Sequence, residues 1–239
     1  MGQAHAQPRM TKLAGVDGCK HGWIVALADA WPCKTPLQIE FCLDFAAVLR
    51  TTSQCAAVAV DMPIGLPDGA DPRACDFEAQ RALGPQRSSI FLAPPRRSLN
   101  ARDPREFQRM HREIRGVGAG LPVWGIVPKM LEVNLAFEQE SALQERVFEF
   151  HPELTWRRLA GRQQLSRKKT AAGIIERIAI LNRTAGTWTA LEILEIPGNP
   201  AIDDVLDAIS GLAAAHAFLI DPPTDGPRNA RGLHMRICP

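Results

Sequence analysis

Four aspartates stand at positions where a folded chain can bring acidic side chains together. Asp17 follows the first apolar residues of "LAGVDGCKHGWIVAL", and Asp61 follows the apolar run in "AAVAVDMPIGLP". Asp204 and Asp207 in "AIDDVLDAISGLAAAH" are three residues apart, so on a helix they project from the same face. A carboxylate is costly to bury unless a cation or hydrogen-bond donors compensate it. Each acid is therefore either a solvent-facing residue or a member of a charged site.

Clusters of aspartates are typical of divalent metal sites, because Mg²⁺ prefers carboxylate and water oxygens over Cys or His ligands. Two such ions about 3.5–4 Å apart hydrolyse phosphodiesters, because one activates a water molecule and the other stabilises the leaving oxygen. Taken alone, however, Asp17 fits an Asp-Gly hairpin turn. Asp203 fits a helix N-cap better than a metal ligand.

The pattern of apolar residues predicts the elements that must position these acids. Two strands flank a turn at 17–22, "LQIEFCLDF" is a third strand, and Asp44 caps a short helix. "AAVAV" has the continuous apolar character of a central strand, and "VFEFH" is the fifth strand. "RKKTAAGIIERIAILNR" and the segment from Asp203 onward are helices. Residues 71–146 show helical patterns and one loop, "GPQRSSIFLAPPRRSL", but no convincing core strand, which predicts a helical insertion between the fourth and fifth strands.

The length and composition are those of a globular protein. The chain has 239 residues, enough for one large domain with an inserted subdomain. We predict a disordered extension over 1–10, an α/β domain over 11–221 and a loose tail, rich in Pro, Gly and Arg, over 222–239.

Charge and cysteine usage leave the partners open. A net charge of +2 neither indicates nor excludes a nucleic-acid partner, since a basic face can lie on a nearly neutral protein. The six cysteines are scattered without metal-site spacing, and neither a secretory signal nor a membrane span stands out. We therefore expect a cytoplasmic protein with reduced cysteines and no membrane partner. Its oligomeric state stays open, with a homodimer among the alternatives.

The motifs, taken in order, resemble those of a known family. "GVDGCKHGW", "VAVDMPIGLP", "GPQRSSIFLAPPR", "FEFHPE", "KKTAAGIIERIAIL" and "DDVLDAISGLAAA" are similar to successive motifs of the domain of unknown function 429 (DUF429) family. That family is described as predicted nucleases with a ribonuclease H-like fold. The resemblance extends from Leu13 to about Ala217. It implies an α/β fold with a ribonuclease H-like mixed five-stranded sheet flanked by helices.

The same resemblance implies a metal-dependent phosphodiester hydrolase, a nuclease acting on DNA or RNA with Mg²⁺ or Mn²⁺ as cofactor. Its catalytic and metal-binding residues are then expected at Asp17, Asp61, Asp204 and Asp207, with Asp17 as the central ligand. The acidic helix is also similar to the terminal helix of Holliday-junction resolvases. Those resolvases usually carry Glu where this chain has Asp61, a departure that bears on metal spacing and on catalysis.

Further residues are candidates for contact with the substrate. They are Lys20, Arg73, Lys129, Glu153 and Lys169. Lys168 and Lys169 begin a helix, where a phosphate can bind, although a solvated pair is the simpler interpretation. The arginines between 96 and 115 form either a face that follows phosphates or a solvated helix surface.

Two other functions stay open. An actin-like or sugar-kinase-like phosphotransferase also begins with an Asp-Gly hairpin. Against it, "DGCKHGW" lacks the small Gly/Thr/Ser turn that cradles phosphates, and the chain is too short for two such domains. The other alternative is a ribonuclease H-like binding protein without catalysis, because a fold does not fix a function.

Overall fold

A computed structural model of the protein describes residues 12–161, 164–186, 196 and 199–239. The predicted extension over 1–10 lies outside these residues. In the described part of the chain, no helix is both long and apolar enough to cross a membrane.

A five-stranded mixed sheet forms the centre of the fold, as predicted. Its strands are β1 (Lys12–Cys19), β2 (Gly22–Ala28), β3 (Gln38–Cys42), β4 (Cys55–Val60) and β5 (Val147–Glu149). The spatial order is β3-β2-β1-β4-β5, in which β1, β2 and β3 are antiparallel and β4 and β5 run parallel to β1. β1 and β4 are therefore neighbours whose carboxyl ends lie at the same edge of the sheet.

Helices cover both faces of this sheet. They are α1 (Phe45–Thr51), α2 (Ala74–Leu83), α3 (Pro104–Arg115), α4 (Leu121–Gln139), α5 (Pro152–Leu159), α6 (Ala171–Thr184) and α7 (Ile202–Ile220). Alternate strand residues enter two separate cores, because successive side chains point to opposite faces. Ala57 and Ala59 pack with α7, whereas Val58 and Val60 pack with the core that contains α1 and α4.

Two glycines allow α7 to lie directly against β1. A Cβ at Gly15 would come 2.0 Å from the Ala208 carbonyl oxygen, and a Cβ at Gly211 would come 2.6 Å from Gly15 Cα. Any larger residue would push the helix away from the strand. Asp17 lies two residues after Gly15 and so faces the same helix. This close contact is what brings the acids of α7 to the end of β1.

The segment between β4 and β5 is helical in the described residues, which confirms the predicted insertion. One of its helices, α4, is held to the sheet by Glu132. The Glu132 carboxylate accepts hydrogen bonds from the Trp23 indole at 3.0 Å and from the Phe45 backbone N–H at 2.7 Å. The predicted Asp44 cap of α1 is also confirmed, because its side chain accepts from the Ala47 N–H.

The C-terminal segment 222–239 is attached to the core, so the prediction of a loose tail is wrong. The Cys238 N–H donates to the Glu149 carbonyl oxygen at 2.9 Å, next to the end of β5. The Asn229 side chain donates to the Leu66 carbonyl oxygen at 3.0 Å. Proline and glycine exclude long regular elements here, but they do not prevent packing.

Candidate functional site

Two of the predicted acids meet where β1 and β4 run side by side. Asp61 directly follows β4, and its backbone N–H donates to the Val16 carbonyl oxygen at 2.9 Å. Asp17 lies within β1, which continues to Cys19, and it is 5% exposed. The interpretation of Asp17 as a solvent-facing turn residue is therefore wrong. Its position is that of a buried acid at a sheet edge, where open α/β sheets bind ligands.

The first turns of α7 bring further acids to this edge. Asp207 is fully buried and Asp204 is partly buried. Asp203 is not the N-cap, because α7 begins earlier than predicted and Ala201 takes that position. The Asp203 side chain is buried, and its Oδ2 atom has no hydrogen-bond partner. The prediction of an N-cap role for Asp203 is thus wrong.

Lys168 is the cation that faces these acids. Its Nζ lies 2.6 Å from Asp207 Oδ2 and 4.0 Å from Asp203 Oδ2. The Trp156 indole donates to the other oxygen of Asp207 at 2.8 Å, so both Asp207 oxygens are bonded. Burial opposes the charge of Lys168, but Asp207 and Asp17 outweigh it and raise the pKa of the ammonium group. Lys168 therefore belongs to the site and is not half of a solvated pair.

The carboxyl groups raise one another's proton affinity. Burial raises the pKa of Asp61 to about 7, although Lys168 opposes the shift. Burial, reinforced by the charge of Asp61, raises the pKa of Asp17 well above its usual range. Burial and the neighbouring Asp203 raise the pKa of Asp204 to about 6. Each additional negative charge in such a cluster is costly unless a cation accompanies it.

These shifts predict how stability depends on pH in a chelator. The folded-state pKa of Asp61 lies above its unfolded value. The stability that the protonated Asp61 side chain contributes is therefore present at acidic pH and is lost as the pH rises towards about 7. Relative to the unchanged protein, Asp61→Asn should gain about 2–4 °C in Tm between about pH 5 and pH 7. Thermal melts in EDTA measure this gain. Asp221→Asn, an exposed acid after α7, is the matched control. A difference in Tm that does not change with pH would contradict the prediction.

The lysines that were predicted to contact the substrate differ in whether their ammonium groups are available to bind it. Lys20 and Lys169 are exposed. Lys169 lies next to Asp203, at the edge of the acid cluster, which consists of Asp17, Asp61, Asp203, Asp204 and Asp207. Lys129 is held by the hairpin, because its Nζ donates to the Gly22 carbonyl oxygen at 2.6 Å and lies 4.7 Å from the centre of the Trp23 ring. Lys20 and Lys169 therefore remain candidates for substrate contact.

The other two candidates for substrate contact are engaged within the protein. Arg73 is 2% exposed, and its guanidinium group donates to the carboxylates of Asp76 and Glu149. Glu153 accepts a hydrogen bond from Arg177 at 2.7 Å. Arg73 has no exposed surface to offer a substrate, so its role is to hold α2 against β5.

Three arginines of the arginine-rich stretch pair with neighbouring acids. Arg96 forms an ion pair with Asp68, and both Arg102 and Arg109 pair with Glu106. These contacts favour a solvated helix surface over a phosphate-binding face.

His151 is a site residue that the sequence reasoning missed. It follows β5 at the same sheet edge, and the charges of Glu153 and Asp207 act on it. Its Nδ1 accepts from the Glu153 backbone N–H at 3.2 Å, which caps α5. Burial lowers its pKa. Because Nδ1 accepts a hydrogen bond, the neutral ring carries its proton on Nε2, which lies 3.4 Å from the Ser89 carbonyl oxygen. Its place at the end of the predicted strand "VFEFH" was the signal that could have identified it.

The donor set suits Mg²⁺ or Mn²⁺, since every candidate ligand is a carboxylate oxygen. In the described parts of the chain, no three or more His, Cys, Asp or Glu side chains are arranged so that they could hold a metal ion. Lys168 holds Asp207 instead. The raised pKa values of Asp17 and Asp61 and the unpartnered oxygen of Asp203 fit a site that gains from a further cation.

The fold and this cluster define an α/β protein with an acidic centre at the carboxyl ends of parallel strands. The chain belongs to the family described as "Protein of unknown function (DUF429)", which it matches over residues 15–226. Neither the curated proteins nor the solved structures compared with the chain include a match.

Proposed function

We propose that the protein is a divalent-metal-dependent phosphodiester hydrolase that acts on nucleic acid. The observation that carries this proposal is the convergence of four aspartates from three elements that are distant in sequence. Asp17 comes from β1, Asp61 follows β4, and Asp204 and Asp207 lie on the final helix. This is the placement of acids that the ribonuclease H-like resemblance implies, here on a mixed five-stranded sheet.

Asp17, Asp61, Asp204 and Asp207 would hold Mg²⁺ or Mn²⁺. When bound, the metal supplies an activated water and stabilises negative charge on the phosphate. The Trp156 indole holds one oxygen of the Asp207 carboxylate in place before any ion arrives. Such preorganisation lowers the cost of binding a metal.

Two exposed lysines support a polyanionic substrate. Lys20 lies in the hairpin turn that follows Asp17, and Lys169 Nζ lies 4.0 Å from Asp203. Ammonium groups at these places attract phosphates without entering the carboxylate cluster. They also offset the repulsion between the cluster and a nucleic-acid backbone.

The hairpin geometry disfavours the phosphotransferase alternative. A Cβ at Gly18 would come 2.7 Å from Lys129 Cδ, so the Lys129 side chain fills the space beside the turn. A nucleotide phosphate needs open backbone N–H groups at such a turn.

A cleavage assay tests the proposal. The protein is incubated with labelled branched DNA, duplex DNA, single-stranded DNA, RNA and an RNA–DNA hybrid in Mg²⁺, Mn²⁺ or EDTA. We expect cleavage of at least one substrate in metal and none in EDTA. Asp204→Asn should abolish it, because one carboxylate ligand is lost, whereas Asp221→Asn, at the other end of α7, should cleave normally.

The alternatives predict other results. Metal-independent binding of nucleic acid without cleavage would support the non-catalytic protein. Transfer of the γ-phosphate of ATP to a small molecule would support the phosphotransferase. Equal cleavage by Asp204→Asn and the unchanged protein would assign the activity to another site or to a contaminant.

A further inference from the structure

One ammonium group lies between a bonded and an unbonded carboxylate oxygen. Lys168 Nζ is 2.6 Å from Asp207 Oδ2, which is hydrogen-bonding distance. It is 4.0 Å from Asp203 Oδ2, which is buried and has no hydrogen-bond partner in the described residues. Asp203 Oδ2 is thus an acceptor within a short movement of a donor that is engaged elsewhere.

A buried acceptor without a partner is costly, so a state in which a donor reaches it recovers part of that cost. Lys168 is able to reach that state. Its side chain is 34% exposed, and it is carried by a flexible four-carbon stem in the loop before α6. Moving its ammonium group from Asp207 to Asp203 exchanges one charged hydrogen bond for another.

We propose that Lys168 is a built-in counter-ion with two positions. It binds Asp207 until a divalent ion takes that carboxylate, and it then binds Asp203. This inference rests on the proposed function, because it requires a metal at Asp207. It makes Asp203 a positioning residue that receives the displaced ammonium group, and it leaves metal ligation to the other aspartates.

The proposal predicts opposite effects for the two residues on metal affinity. Without Lys168, the metal no longer competes with an ammonium group for Asp207, so binding tightens. Without the Asp203 charge, the displaced ammonium group has no acceptor, so binding weakens. Lys169 provides a matched control, because its Nζ is also 4.0 Å from Asp203 Oδ2 but its side chain is 80% exposed.

Calorimetric titration with Mn²⁺ alone tests the proposal on the full chain. K168M should bind Mn²⁺ about tenfold more tightly than the unchanged protein, and D203N about tenfold more weakly. In the K168M background, D203N should have no effect. K169M should change the affinity by less than about twofold, since an exposed charge is screened.

Melts in EDTA establish that each variant is folded. If K168M is unfolded at the assay temperature, K168A replaces it in the same cycle, because alanine also leaves Asp207 without a competing side-chain donor from this position. Equal weakening by D203N in both backgrounds would make Asp203 a ligand and overturn the proposal. An equal gain in Mn²⁺ affinity in K168M and K169M would mean that any nearby positive charge weakens metal binding. That result would overturn the proposal as well.

The failure of the proposed function looks different. If Mn²⁺ binds neither the unchanged protein nor K168M, the metal site itself is refuted, together with the two-position lysine. If Mn²⁺ binds both with the same affinity, the metal site stands and only the two-position lysine is refuted.

Discussion

Asp17→Asn should abolish divalent metal binding while leaving the fold intact. Asp61, at the end of the neighbouring strand, and Asp204 and Asp207 of α7 all act on the Asp17 carboxylate, so it is in reach of acids from both elements. Loss of outer-shell partners alone costs about 10–100-fold in metal affinity, and a central ligand should cost at least about 100-fold. The asparagine oxygen can still accept the hydrogen bond from the Gly18 N–H.

Calorimetric titration with Mn²⁺, together with melts in EDTA, checks this result. The variant should melt at or above the Tm of the unchanged protein in EDTA, because one charge is removed from a group of mutually repelling carboxylates. Asp221→Asn serves as the control for loss of an exposed acid. Equal Mn²⁺ affinity in Asp17→Asn and the unchanged protein would remove Asp17 from the site.

Arg73→Met should cause a large loss in the free energy of unfolding. Asp76 is 0% exposed and Glu149 is 5% exposed, and both depend on the Arg73 guanidinium group for charge compensation. Removing one member of a buried ion network leaves uncompensated charges and costs about 3–5 kcal/mol of unfolding free energy. Urea unfolding monitored by tryptophan fluorescence measures the loss.

Arg96→Met is the matched control for that experiment. Arg96 also pairs with an aspartate, but its side chain is 21% exposed, so the same substitution should cost about 0–1 kcal/mol. Adding Asp76→Asn and Glu149→Gln to Arg73→Met should recover part of the loss, since the uncompensated charges disappear. If Arg73→Met and Arg96→Met lower the free energy of unfolding equally, the loss in Arg73→Met does not come from the buried ion network.

The local pattern was enough to predict most of the elements. Continuous apolar runs identified β4, and Asp44 identified the start of α1, because both signals come from residues adjacent in sequence. The same pattern misplaced the start of α7. Acids are favoured throughout the first turn of a helix, so the pair Asp203 and Asp204 does not show which residue begins it.

The segment after α7 shows a second limit of local patterns. Its proline and glycine correctly indicated the lack of regular elements, but they said nothing about attachment. Asn229 hydrogen-bonds to Leu66, 163 residues away, and such a partner leaves no trace in the composition of the segment.

For the site, the sequence determined the acids and the elements that carry them. Asp17, Asp61 and the spacing of Asp204 and Asp207 follow from strand ends and helix periodicity, which are short-range properties.

Only the tertiary structure decided which cations pair with the buried acids. Lys168 pairs with Asp207 across 39 residues, and Arg73 pairs with Glu149 across 76 residues. From the sequence, Lys168 was interpreted as half of a solvated pair and Arg73 as a candidate for substrate contact. A charge remains buried only where its partner is brought to it, and that depends on how α7 packs against β1 and how α2 packs against β5.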